Sequence, residues 1–196
     1  MGPSITFAVG GARSGKSAFA ENLARGSGNV IYIATAEAGD PEMSSRIAAH
    51  KLRRPAGWST WEGNVLSLPE ETPKIAPSYD TLLFDSLTMY ISAAMLALPG
   101  GTDEDEALWA VAEEKILERA RDIFAGFRDA ALGTNKRLIV VSDEAGCGIV
   151  PPYSMGRRFR DLLGTANQIA ARAADEAALV VAGIPLWIKT RQPEKS

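Results

Sequence analysis

The chain has 196 residues, 46% of them hydrophobic and 23% charged, with a net charge of −3. That length suits one domain with its own core, predicted to span residues 1–196, and the slight acidity excludes a general nucleic-acid binder, which needs a basic footprint. A single cysteine, Cys147, excludes an internal disulfide framework and a cysteine-built zinc site; with no signal-peptide pattern and no bilayer-length apolar run, the expectation is a cytoplasmic protein without membrane insertion.

In chain order, an apolar run at 4–9 (SITFAV) is followed by a helical pattern at 16–24 and a second run at 29–34 (NVIYIA). A helix is predicted over 41–52. Residues 54–79 hold four prolines and two tryptophans and read as partly irregular. Then come a run at 81–84 (TLLF), a helix over 86–97, a loop at 98–103 (LPGGTD) and a long helix over 103–131. A run at 137–142 (RLIVVS), a helix over 154–174, a run at 178–183 (ALVVAG) and a short one at 185–189 (PLWIK) complete the chain. The runs are rich in Val and Ile and apolar throughout, the mark of central strands buried on both faces in a parallel sheet. PLWIK, after so short a break, is expected as an antiparallel hairpin partner. The rhythm predicts a doubly wound α/β domain: a mostly parallel sheet flanked by helices.

The segment GGARSGKS (Gly10, Gly11, Ala12, Arg13, Ser14, Gly15, Lys16, Ser17) fits G-x-x-x-x-G-K-[ST], with an apolar strand before it and a helix after it. Glycines let successive N–H groups point into one concavity that holds phosphate oxygens, and the helix N-terminus adds positive charge. Lys16 is expected to reach the β- and γ-phosphates of a nucleoside triphosphate and Ser17 to ligate Mg²⁺. A carboxylate that helps organise the metal is expected at a neighbouring strand end. Asp85 closes TLLFD, and Asp143 with Glu144 closes LIVVSDE; Asp85 has the alternative of N-capping the next helix.

His50 is the only histidine, and Arg46, Lys51, Arg53 and Arg54 surround it in RIAAHKLRRP. A neutral imidazole can attack phosphorus while guanidinium groups neutralise the developing charge. The residues alone favour a solvated basic helix end with one incidental histidine.

Together, GGARSGKS, YIATAE, RIAAHKLRRP and the GIVP that precedes R-x-F-R-D-x-x-G-x-x-N-Q resemble the bifunctional adenosylcobinamide kinase/adenosylcobinamide-phosphate guanylyltransferase family of cobalamin biosynthesis. The likeness covers residues 5 to about 189 and implies a P-loop NTPase fold of the RecA-like kind. It implies two reactions: γ-phosphoryl transfer from ATP or GTP to adenosylcobinamide, then transfer of GMP from GTP, through a histidine carrier, to adenosylcobinamide phosphate. By position, His50 is the implied GMP carrier and Lys16 the second catalytic residue. Nucleotide contacts are implied at Gly10 to Ser17, at Thr35, Ala36 and Glu37, at Lys51, Leu52, Arg53 and Arg54, and at Glu62 and Asp85. Ser17 and Asp85 are the implied Mg²⁺ ligands, and Glu62 is expected to read the paired N–H donors of guanine. A homotrimer is implied as well.

The chain departs from the family pattern at three positions. Asp85 stands where glutamate is frequent, Cys147 where methionine is common, and Asp143 where asparagine is familiar, which puts a catalytic role for Asp143 in doubt. Arg157, Arg158 and Arg160 on the 154–174 helix are expected to be solvated charges. Two readings compete with the bifunctional transferase: a P-loop kinase for another small molecule, and a nucleotide-dependent regulatory switch. A switch lacks its usual N-K-x-D base-reading motif here, and neither reading explains GIVP or the His50 cluster.

Overall fold

The structure is a computed structural model that describes residues 2–35, 54–98 and 105–191. The helix predicted over 41–52, with His50, and most of the 98–103 loop lie outside these residues.

Strand β1 (Ser4–Gly10) leads through the glycine-rich loop into α1 (Lys16–Ala24), and β2 (Val30–Ala34) follows. The segment expected to be partly irregular holds irregular stretches at 54–58 and 62–64 and ordered elements between and after them. It forms a short strand β3 (Ser59–Trp61), a 3₁₀ turn (Val65–Ser67), helix α2 (Leu68–Ile75) and a second 3₁₀ turn (Ala76–Ser78). Proline is tolerated in the first turn of a helix, where the missing N–H has no partner to lose; Pro69 sits there in α2.

Strand β4 (Thr81–Asp85), α3 (Leu87–Leu96), α4 (Glu106–Ala130), β5 (Arg137–Asp143) and α5 (Ser154–Ala173) follow. The strand predicted at 178–183 begins earlier than expected: β6 is Glu176–Val181, and Ala182 and Gly183 form the turn into β7 (Ile184–Lys189). Both turn residues have positive φ, 51° and 81°, as a tight two-residue hairpin requires.

The sheet has seven strands in the order β3-β2-β4-β5-β1-β6-β7. All pairings are parallel except β6 with β7, the predicted hairpin. Parallel pairing brings the carboxyl ends of β1 to β6 to one edge.

Side chains alternate across each strand, which splits the core in two. Ile5, Phe7, Val9, Ile31, Ile33, Leu82, Phe84, Leu138 and Val140 face the larger cluster, which takes the apolar sides of α3, α4 and α5. Along α4 the buried positions Trp109, Ile116, Ala120, Ile123 and Phe127 recur at helical spacing. Val30, Tyr32, Leu83, Ile139 and Val141 face the smaller cluster with Ala20 and Ala24 of α1. The same alternation sets Asp85, two residues past Leu83, and Asp143, two past Val141, on the α1 side of the edge.

Lys189 Nζ closes the far end, donating to the carbonyls of Ala171 and Ala174 at the end of α5; a cation there answers the unpaired carbonyls of a helix terminus. No helix of the described residues is long and apolar enough to cross a membrane.

Candidate functional site

The glycine-rich loop is set by backbone geometry. Gly15 is the N-cap of α1 with φ 94°, a left-handed conformation that favours glycine. A Cβ on Gly10 would collide with the Val180 carbonyl and crowd Ser14 Oγ. The Ser14 N–H donates to the Gly11 carbonyl at 3.2 Å, closing the loop, and the Gly183 N–H donates to the Ser14 carbonyl at 2.7 Å. The β6–β7 turn therefore buttresses the loop from outside. Gly11, Ala12 and Arg13 are exposed, Ser17 is half-buried, and the buried Ser14 Oγ finds no hydrogen-bond partner among the described residues.

Lys16 folds back over the loop. Its Nζ donates to the Gly11 carbonyl at 3.1 Å and lies 2.5 Å from Asp143 Oδ1. The lysine side chain is 11% exposed and the aspartate 34%, so the pair is only partly screened by water. Asp143 is held at its backbone from two sides: its N–H donates to Thr88 Oγ1 at 2.7 Å, and Asn167 Nδ2 donates to its carbonyl at 2.9 Å. Sequence reasoning placed Asp143 in doubt, and the structure sets it beside the P-loop lysine. Glu144, weighed with it, turns instead into its own loop and accepts from the Gly146 and Cys147 N–H groups. The Cys147 N–H holds the Glu144 carboxyl below its usual range. Its carboxylate in turn pushes the Cys147 thiol up, the opposite of what activates a nucleophile.

Asp85 is two strands from the P-loop strand, or roughly 10 Å at the usual strand spacing. It does not cap the following helix. Ser86 does, accepting the Met89 N–H at 3.3 Å, across a cis Asp85–Ser86 peptide bond. The carboxylate Oδ2 instead accepts the Tyr32 hydroxyl at 2.6 Å. Tyr32 ends with its hydroxyl pKa far above the ordinary value, through burial first and the Asp85 charge second. Thr35, an implied nucleotide contact, is buried, and its hydroxyl is committed to the Ser86 backbone: it accepts the N–H at 2.6 Å and donates to the carbonyl at 3.0 Å. It fixes the junction that carries Asp85.

Arg54 lies over the Tyr32 ring, with its guanidinium carbon 3.5 Å from the centroid. Glu62 follows β3 at the same carboxyl edge and is exposed. Of the other implied residues, Ala36, Glu37, His50, Lys51, Leu52 and Arg53 lie outside the described residues. Glu21 is a residue that sequence reasoning missed: it is buried on α1, one helical turn beyond Ser17, and its charge is felt at Tyr32. A carboxylate among the buried alanines of α1 was the available signal.

Among the arginines of α5, Arg157 is exposed as expected, and Arg158 departs from expectation. Arg158 is no solvated charge; it pairs with Glu106 at 2.8 Å and stacks over Trp109 at 4.8 Å. Arg157 donates to the Pro151 and Pro152 carbonyls. These groups line a hollow of about 380 Å³ between the starts of α4 and α5.

Among the described residues no three carboxylate, imidazole or thiol groups converge into a metal cage. Magnesium keeps most of its waters and leans on phosphate oxygens, needing only one or two protein oxygens. A hydroxyl at the start of α1 and a carboxylate on the same edge fit that demand; they would not fit an ion held by protein alone.

Residues 6–188 match the family described as cobinamide kinase/cobinamide phosphate guanyltransferase. The chain is 39% identical over 181 residues to the bifunctional adenosylcobalamin biosynthesis protein CobU of Salmonella typhimurium, covering 92% of this chain and 97% of that one. It is 38% identical to the corresponding CobP of Pseudomonas aeruginosa, over 92% of this chain and 95% of that protein. It is 36% identical to CobU of Escherichia coli, with coverage of 92% and 97%. With the P-loop, the parallel sheet and an end-to-end match in agreement, the chain belongs to the cobinamide kinase/cobinamide phosphate guanyltransferase family of transferases.

Proposed function

We propose that the protein phosphorylates adenosylcobinamide and then transfers GMP to the product, giving adenosylcobinamide-GDP, with His50 as the GMP carrier. The observation that carries this reading is the row of groups along one sheet edge. Lys16 lies beside Asp143, Asp85 is one strand further, and Arg54, four residues after His50 in the sequence, is beyond it. Such a row can address both ends of a triphosphate. The relatives are themselves named bifunctional.

In the first reaction the hydroxyl oxygen of the aminopropanol arm attacks the γ-phosphorus of ATP or GTP. The bond to the β-phosphate oxygen breaks, the nucleoside diphosphate leaves and the hydroxyl proton is released. Backbone N–H groups of Gly11 to Lys16 hold phosphate oxygens, and Lys16 neutralises charge that builds on the β–γ bridge. Mg²⁺, held by Ser17 and Asp85, would withdraw charge from the β- and γ-oxygens when bound.

In the second reaction a neutral His50 nitrogen attacks the α-phosphorus of GTP. The α–β bond breaks, pyrophosphate leaves and a phosphorus–nitrogen bond joins GMP to the histidine. A phosphate oxygen of adenosylcobinamide phosphate then attacks that phosphorus and the imidazole recovers its electron pair. Lys51, Arg53 and Arg54 neutralise the transferring phosphate, and Glu62 reads guanine. The assignment extends to a homotrimer working in the cytoplasm.

Incubation with Mg²⁺ and GTP labelled at the α-phosphorus tests the reading. Wild type should acquire acid-labile, alkali-stable label, and His50→Ala should acquire none while still phosphorylating adenosylcobinamide. A wild-type protein that never takes up label contradicts guanylyl transfer and leaves the simple kinase.

A further inference from the structure

Tyr32 has no part in the chemistry set out above, yet it touches two groups that do. It sits in an otherwise apolar strand, 2% exposed, where phenylalanine would pack equally well. Burying a phenol is costly unless its hydroxyl finds a partner. Here the partner is the Asp85 carboxylate at 2.6 Å. An aspartate at a strand end can rotate about two bonds; a donor fixed by the core selects one setting. Among the described residues only Oδ2 is taken up in this way, so the bond orients the carboxylate without consuming it.

The ring has a second use. The Arg54 guanidinium lies over its face at 3.5 Å, close enough for strong cation–π attraction. Among the described residues Arg54 Nη1 reaches Thr60 Oγ1 at 3.4 Å, and the buried Nε has no hydrogen-bond partner there. A guanidinium seated on a ring keeps its planar N–H groups for an incoming anion.

We propose that Tyr32 is a positioning residue for both reactions: its hydroxyl aims the Asp85 carboxylate, and its ring face seats the Arg54 guanidinium. This rests on the reading of Asp85 as a ligand of phosphate-bound magnesium and of Arg54 as a phosphate contact. One side chain thus serves the two steps by two different atoms, which makes the roles separable by substitution.

Tyr32→Phe keeps the ring and removes the hydroxyl; Tyr32→Leu removes both; Arg54→Lys keeps the charge and loses the stacking plane. Two readouts apply: the factor by which Mg²⁺ strengthens GTP binding in calorimetry, and the rate of α-label uptake at saturating Mg²⁺. Tyr32→Phe should reduce the magnesium factor about tenfold, in keeping with loss of a hydrogen bond to a charged group, and retain most of the labelling rate. Tyr32→Leu should lose about tenfold in labelling as well, and Arg54→Lys should reproduce the labelling loss alone. Thermal unfolding of each variant identifies a merely structural role, which would lower Tm and move both readouts together. A Tyr32→Phe protein with the wild-type magnesium factor, or an Arg54→Lys protein with the wild-type labelling rate, overturns the proposal. If wild type shows neither magnesium dependence nor label, it is the underlying reading of the site that fails.

Discussion

The Lys16–Asp143 pair is the contact on which nucleotide binding must act first. A triphosphate that draws Lys16 to its β- and γ-oxygens pulls it from a carboxylate 2.5 Å away and leaves that carboxylate near new negative charge. Asp143→Asn removes the competitor and the repulsion while keeping the shape. It should tighten GTP binding by about three- to tenfold, the scale of one partly exposed ion pair. Weaker binding in calorimetry would mean that Asp143 belongs to the bound state instead. Glu62 supports a second test at this scale: Glu62→Ala should lose the preference for GTP in guanylyl transfer, and a variant that keeps it rules out the guanine-reading role.

The P-loop was legible because its spacing encodes backbone geometry directly. Tyr32 was not, and the choice between Asp143 and Glu144 stayed open, because both depend on register: alternation along β2, β4 and β5 puts Tyr32, Asp85 and Asp143 on one side of the edge, and no single-strand pattern states which strands are neighbours.

At the scale of elements, the strands read from apolar runs were found nearly in place, since fully buried parallel strands announce themselves by composition. The miss at β3 has a physical cause. Three residues, STW, at the edge of the sheet are too short for any periodic signal, and their pairing with β2 alone defines them. The late start given to β6 has another: Glu176 is polar, yet it lies within the strand. Ending that run at Gly183 took the turn for strand.

That turn now carries weight, because Gly183 donates its N–H to Ser14 and so supports the P-loop. Ala182 beside it has φ 51°, a conformation that costs a residue with a Cβ about 1–2 kcal/mol. Ala182→Gly relieves that strain against a larger unfolded-state entropy, for a net gain of about 0.5–1 kcal/mol. Thermal unfolding should show a Tm higher by roughly 1–4 °C for a chain of this size. A lower Tm would mean that the alanine side chain is itself packed to advantage.

Across the whole molecule, one carboxyl edge gathers the P-loop, Asp85, Asp143, Arg54 and Glu62, in a chain that belongs to a family of transferases. The central claim is that this edge cuts triphosphate at two places. In the proposed route the γ-phosphoryl group goes directly to adenosylcobinamide, and GMP goes by way of His50. A pulse and chase tests it most directly. The protein is charged with α-labelled GTP and Mg²⁺, freed of nucleotide, and then given unlabelled adenosylcobinamide phosphate. Label should leave the protein and appear in adenosylcobinamide-GDP in equal amount, with none formed by His50→Ala. Label that stays on the protein, or product formed by His50→Ala at the wild-type rate, would contradict it.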